Sequence, residues 1–316
     1  MKYAITTVFT LLCTQAVVHA QAAPRDVVAR FALTIEGQQA GTLNTVTGGT
    51  PVGTVVQQAL PVGGAPKKHI GGVQYEPITF QVGVPLAPVL QQWIASTLRG
   101  EGVTHGGAVI GYDTQRREVQ RRNFSFALIS KVTFPTLDAS NPEPGLVSVV
   151  VVPERVEIAR GSGAVAAVEQ TRPKSFVSSN FRLELDGIDT SRVSKIDSFT
   201  IQQKLAPQPM GGVRDPGLEP AAVEIPNLTV ALSANGLESW QAWFEEFVIL
   251  GQNGDNREKS GRIVLLAPNL QDVLLELSLS NVGIYAMRQL NPENNDRSIA
   301  HFEAKLYVER IELTPK

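Results

Sequence analysis

Apolar and polar residues alternate along much of this chain. In Phe31-Ala-Leu-Thr-Ile35, Phe124-Ser-Phe-Ala-Leu128 and Phe181-Arg-Leu-Glu-Leu185 the large apolar side chains recur at every second position. The runs are bounded by Gly, Pro, Asn and Asp, and a period of two bounded by turn residues marks strands with one buried face. The pattern predicts strands at 31–36, 78–82, 124–134, 146–158, 181–185, 227–232, 263–266, 273–284 and 301–313. Two segments carry the helical period instead. From Pro88 to Arg99, Val89, Leu90, Trp93, Ile94 and Leu98 share one side, with Pro at the start and Gly100 at the end, as helix termini favour. From Leu237 to Leu250 the stripe is Leu237, Trp240, Trp243, Phe244 and Phe247, and Glu245 and Glu246 face away. Large aromatics at this spacing are usually buried against a sheet.

The elements recur in order, which points to a tandem duplication. Phe31 to Gly37 matches Phe181 to Gly187, Ile78-Thr79-Phe80 matches Leu228-Thr229-Val230, and Gln91 and Trp93 match Gln241 and Trp243, all at an offset of 150. The closing strands agree at 155, with Glu154-Arg-Val-Glu157 against Glu309-Arg-Ile-Glu312. Between them, Phe124, Phe126 and Leu128 align by face with Leu275, Leu277 and Leu279 at 151, which calls for a bulge. Each copy carries a long insertion, residues 41–72 and 206–222, rich in Gly and Pro or small residues and expected as irregular loops. The expected organisation is a segment 1–20, a first domain over 21–165, a linker over 166–180 and a second domain over 181–316.

The segment 1–20 has the form of a secretory signal peptide: Lys2, an apolar stretch from Ala4 to Val18, and Val18-His-Ala20 as a small-x-small cleavage site. The single cysteine, Cys13, lies within it, so the exported chain has no thiol and its fold rests on packing and hydrogen bonds. No later stretch of about twenty apolar residues follows, so no membrane span is expected after signal removal. The expected location is periplasmic or extracellular. A formal charge of −2 gives no cationic surface for nucleic acid, whose phosphates need clustered Lys and Arg. Charged residues make up 18% of the chain, below the roughly 25% of an average domain, which suits a protein that buries several faces.

The residue types that carry chemistry are sparse. His69, His105 and His301 lack metal-ligand spacing. No nucleophile elbow or dinucleotide fingerprint occurs. The pairs Glu154/Glu157 and Glu309/Glu312 have odd spacing that puts their members on opposite strand faces, against joint acid–base work. No catalytic, cofactor or metal site is therefore expected. Lys67-Lys68-His69 is the basic cluster of the first insertion, a solvated loop or a contact for acidic residues of a neighbouring subunit.

A strand ending in Glu36-Gly37, the basic-tipped insertion, Gly72-Val-Gln-Tyr-Glu-Pro-Ile-Thr79, Leu90-x-x-Trp93, and Phe126-x-Leu-x-x-Lys131-x-x-x-Pro135-x-Leu137 with a closing strand through Glu154 together resemble the tail-tube proteins of contractile phages. That family is related to injection machines and to the haemolysin-coregulated tube protein of type VI secretion. The resemblance covers most of residues 29–160 and, more weakly, 180–316, where Asn281 and Tyr285 take the places of Lys131 and Pro135. It implies a mainly β fold, two tandem β-barrel or sandwich domains each with one flanking helix, and a structural, non-enzymatic subunit of an exported ring or hollow tube. With six like domains to a ring, three chains are expected to form one pseudo-hexameric ring that can stack, the two insertions projecting along its axis. A monomeric secreted β-module that binds a surface ligand or protein partner through its long loops is the alternative.

Intact-mass analysis of the exported protein is expected to show loss of about twenty residues; an unprocessed chain beginning at Met1 in the native host would contradict export.

Overall fold

A computed structural model describes residues 28–58, 66–165, 176–208, 217–290 and 301–314. The expected signal peptide lies outside the described residues. The first half contains β1 (Arg30–Ile35), β2 (Gln38–Thr47), β3 (Pro51–Gln58), β4 (Lys67–Tyr75), β5 (Ile78–Gly83), α1 (Pro88–Leu98), β6 (His105–Tyr112), β7 (Glu118–Phe134), β8 (Leu137–Asp138), β9 (Leu146–Val152) and β10 (Arg155–Arg160). The second contains β11 (Phe181–Leu185), β12 (Val193–Ile196), β13 (Phe199–Gln208), β14 (Gly217–Glu224), β15 (Leu228–Ser233), α2 (Glu238–Phe244) running into a π-helical stretch (Glu245–Ile249), β16 (Lys259–Leu266), β17 (Val273–Leu290) and β18 (His301–Leu313). The fold is mainly β, as the alternation predicts.

In the first half β7, β6, β1, β2, β5 and β9 pair antiparallel in that order, and β9 pairs back onto β7 to close a six-stranded barrel. Closure removes the open edges that an isolated sheet would present. The β1–β2 turn shows why an acid and a glycine end the first strand. Glu36 and Gly37 both have positive φ, 48° and 76°, the mirror-image geometry a two-residue hairpin requires. The strain at Glu36 is offset locally, because its carboxylate accepts the Gly106 backbone N–H at 2.7 Å. Helix α1 starts with Pro at its first position and turns off at Gly100, φ 71°. Its inner side buries Leu90, Trp93 and Ile94, each at most 1% exposed, and Trp93 packs against Phe124 and His105.

The second half is an open seven-stranded sheet, β11-β16-β17-β18-β15-β12-β8, whose last strand comes from the first half. Trp240, Trp243 and Phe247 of its helical segment are buried in series. The Trp240 ring N–H donates to the Asp189 carbonyl at 2.8 Å. Buried side chains of both halves form one continuous apolar core.

Four expectations need correction. The insertions at 41–72 and 206–222 are hairpins, β3–β4 and β13–β14, because alternating Val, Thr and Ile pair well even where Gly and Pro dilute the pattern. The strand expected over 146–158 breaks at Pro153-Glu154 into β9 and β10, which pair with different stretches of β7. The register of the long strands gives an offset of 155, not 151. Phe126 and Asn281 are the positive-φ bulges opposite β6 and β16, and the second register shifts fall at Ser130 and Tyr285. Lys131 therefore corresponds to Ala286 and Pro135 to Leu290; the four residues that move the offset from 150 to 154 precede β16. Finally, Phe176, expected within the linker, is 1% exposed and lies against Gly145, where a side chain would collide with its ring.

Trp93→Ala and Trp243→Ala are each expected to lower stability by roughly 3–5 kcal/mol, the cost of deleting a buried large aromatic. Urea denaturation checks this; a loss under about 1 kcal/mol at either site would contradict its place in the core.

Candidate assembly interface

The long strand β7 sets the geometry of the junction between the halves. On one side it is paired by β6 only as far as Ala127. Beyond that point the same edge, Lys131 to Phe134, is taken by β13, with Phe199 opposite Phe134, Thr200 opposite Thr133, Ile201 opposite Val132 and Gln202 opposite Lys131. The barrel sheet thereby runs on through β13 into β14. An unpaired edge within a core would leave backbone N–H and C=O groups without partners, and β13 supplies them.

Side chains seal this seam on both faces. Phe134 and Phe199 stack at 5.1 Å between centroids, and both are buried with Val132 and Ile201. The Thr133 and Thr200 hydroxyls share a hydrogen bond of 2.8 Å. Gln203 is 3% exposed, and among the described residues neither end of its amide has a partner, so on that footing this position costs stability rather than adding to it.

Further contacts join the halves. Gln91 of α1, 7% exposed, donates to the Thr314 carbonyl at 2.9 Å. A carboxylate oxygen of Glu154 accepts the Leu218 backbone N–H of β14 at 2.8 Å. The turn after α1 runs close to β14, with Gly100 beside Val223 and Gly102 beside Pro220. At the other margin β8 adds to β12, pairing Leu137 with Ile196 and Asp138 with Lys195. Hydrogen bonds from the Ser140 hydroxyl and N–H hold the Asp138 carboxyl below the usual range, helped by the charge of Lys195. Lys195 is itself raised, first by its bond to Asp197.

The residue types that could carry chemistry are dispersed. His69 lies on exposed β4 and His301 at the exposed start of β18. His105 packs on Trp93 and lies 3.5 Å from Glu36. Glu154 works as a backbone acceptor, and Glu309 accepts from the Asn281 amide at 2.9 Å. No cluster of three or more His, Cys, Asp or Glu fit for a metal occurs among the described residues. None of their helices is long and apolar enough to cross a membrane. The seam residues Phe199, Ile201 and Phe176 were not singled out by the sequence. The alternation Phe199-x-Ile201-x-Gln203-x-Leu205 is the signal that could have found β13.

Residues 27–157, less than half of the chain, match the family model described as T4-like virus tail tube protein gp19. No curated protein matches the chain. Among solved structures, a chain of the extended PVC sheath–tube complex, an extracellular contractile injection system, is similar at 20% identity and a TM-score of 0.38, over 46% of this chain and 99% of that one. A chain of the anti-feeding prophage tube-terminating cap is similar at 16% identity and a TM-score of 0.37, over 49% and 98%. Hcp1 from Flavobacterium johnsoniae is similar at 12% identity and a TM-score of 0.25, over 43% and 96%. Residues 27–157, which hold the closed antiparallel barrel and its flanking helix, are thus similar to the tail tube family.

Proposed function

We propose that the chain is a structural, non-enzymatic subunit of an exported ring or hollow tube, carrying two tail-tube-like domains so that three chains supply the six domains of one ring. The observation that carries this reading is the sheet that continues from β7 of the first half into β13 of the second. It supports a picture in which one unit extends the sheet of the next, and β7 itself lies in the segment that matches the tail-tube family. Head-to-tail contacts of this kind close into rings when the rotation per unit divides a full turn. The signal-like segment at 1–20 supports export of the subunit.

The exposed hairpin β3–β4, with Val52, Val55, Val56 and Ile70 open to solvent, also favours the second reading, a monomeric secreted module that binds a partner through this hairpin.

Light scattering on the chain lacking residues 1–20 is expected to give a mass near three times that of the monomer, or multiples of three if rings stack. A strictly monomeric particle at high concentration favours the binding module, and a ring of six full chains overturns the two-domain arithmetic.

A further inference from the structure

The seam that joins the halves has a second, unoccupied counterpart. On its β16 side, β17 is paired only as far as Val282, so among the described residues Ala286 to Leu290 present an open edge. Within it, Ala286–Gln289 is equivalent to Lys131–Phe134, where β13 adds to β7. The strand equivalent to β13 is β3. The two hairpins share their register at an offset of 150, with Gly53 opposite Val73 and Gln203 opposite Val223. Yet β3 and β4 form an isolated two-stranded sheet in which every residue of β3 is exposed. A lone two-stranded ribbon is marginal in water, so this hairpin is an element without its partner.

Resting on the ring-subunit reading, we propose that the hairpin β3–β4 of one copy adds to the free edge of β17 in a second copy of this chain, repeating between chains the seam that β13–β14 makes within one. Transfer of the register puts Thr50 opposite Arg288 and Val52 opposite Ala286. Three independent features of the surface agree with it. The Leu218 N–H that meets Glu154 within the chain becomes Lys68 facing Glu309, which sets the basic cluster Lys67-Lys68 against an exposed carboxylate. The close approach of the α1 end to Pro220 and Val223 becomes an approach of the α2 end to Ile70 and Val73. Ile249, Leu250 and Ile70 are 67%, 62% and 61% exposed in the single chain, and this contact covers them. Gln91, buried while it donates to Thr314, corresponds to Gln241, which is exposed and faces the Ala159 carbonyl of the neighbouring copy in the transferred geometry. Apolar patches and opposite charges that are separate on one chain thus become complementary between two.

The contact is heterologous, the second half of one chain meeting the first half of the next, so it fixes the order of domains around a ring. The seams differ in content. Phe134 against Phe199 within the chain becomes Gln289 against Gly49 between chains, so the intrachain seam is the more apolar and the interchain seam the more reversible.

Val52→Cys and Ala286→Cys, made in separate copies lacking residues 1–20 and then mixed and oxidised, test the register directly. The only native cysteine, Cys13, is absent from this form, and facing residues of an antiparallel pair lie within disulfide reach. A covalent dimer is expected from this mixture and not from Val52→Cys mixed with Leu270→Cys, a control on an exposed turn. In parallel, Lys68→Glu and Glu309→Lys are each expected to weaken association by roughly tenfold, with the double variant restoring it. Multimers by light scattering without the specific crosslink, or with no rescue by the double variant, would overturn this interface while leaving the ring-subunit reading in place. A chain that stays monomeric at high concentration would overturn both.

Discussion

An antiparallel strand longer than its neighbour must find a second partner for the backbone that extends past it. β7 runs from Glu118 to Phe134, while β6 covers it only to Ala127. The bulge at Phe126, φ 49°, marks where the pairing with β6 ends, and the strand then bends toward β9 on one side and β13 on the other. Much of the rest follows from that one open edge. Because β13 occupies it, the hairpin β13–β14 lies against the first half, Glu154 can accept the Leu218 N–H, and the end of α1 comes to rest near Pro220 and Val223. Phe134 and Phe199 then close over the joint and merge two cores into one.

The same constraint acts on β17 with the opposite outcome. Its bulge at Asn281, φ 55°, ends the pairing with β16 in the same manner, but among the described residues no strand takes the edge beyond it. On the proposed two-unit reading, one seam is satisfied within the chain and the two halves of the other are left for neighbouring copies. A free edge is a liability for a soluble monomer and an asset for a subunit. Apolar surface is exposed beside it. Tyr285 is 42% exposed, Arg288 is engaged by Glu303, and the nearby helix end presents Ile249 and Leu250 to solvent.

The sequence displayed the fold class and both helical segments because alternation and a 3.6-residue stripe need only local contacts to make sense. Trp93, Trp240 and Trp243 are buried as their spacing indicates. What it obscured was set by partners far along the chain. Pro51, Gly53, Gly71 and Gly72 make β3–β4 resemble a loop, and only pairing between the two strands reveals them as a hairpin. Alternation alone matches β7 to β17 four residues out of register, since any shift that preserves the face satisfies it; the positive-φ bulges at Phe126 and Asn281, visible only in backbone geometry, align the two strands at an offset of 155. The joint itself rests on Phe199 and Ile201, whose alternation is present in the sequence but whose role depends on the distant residues Phe134 and Val132. The basic cluster Lys67-Lys68 reads in the sequence as a solvated loop or a contact for acidic groups; the proposed partner carboxylate, Glu309, follows only from the shared registers of the two hairpins.

Hydrogen–deuterium exchange followed as a function of protein concentration tests the central claim, that one seam is permanent and the other forms between chains. Backbone amides of Phe199 to Gln202 should be protected at every concentration, since their strand is paired within the chain. Those amides of Ala286 to Leu290 that point away from β18, and those of the outward edge of β3, should exchange freely in dilute solution and become protected only as the mass rises above that of the monomer. Assembly without any new protection in those two strands, or protection of both already in the monomer, would contradict the account.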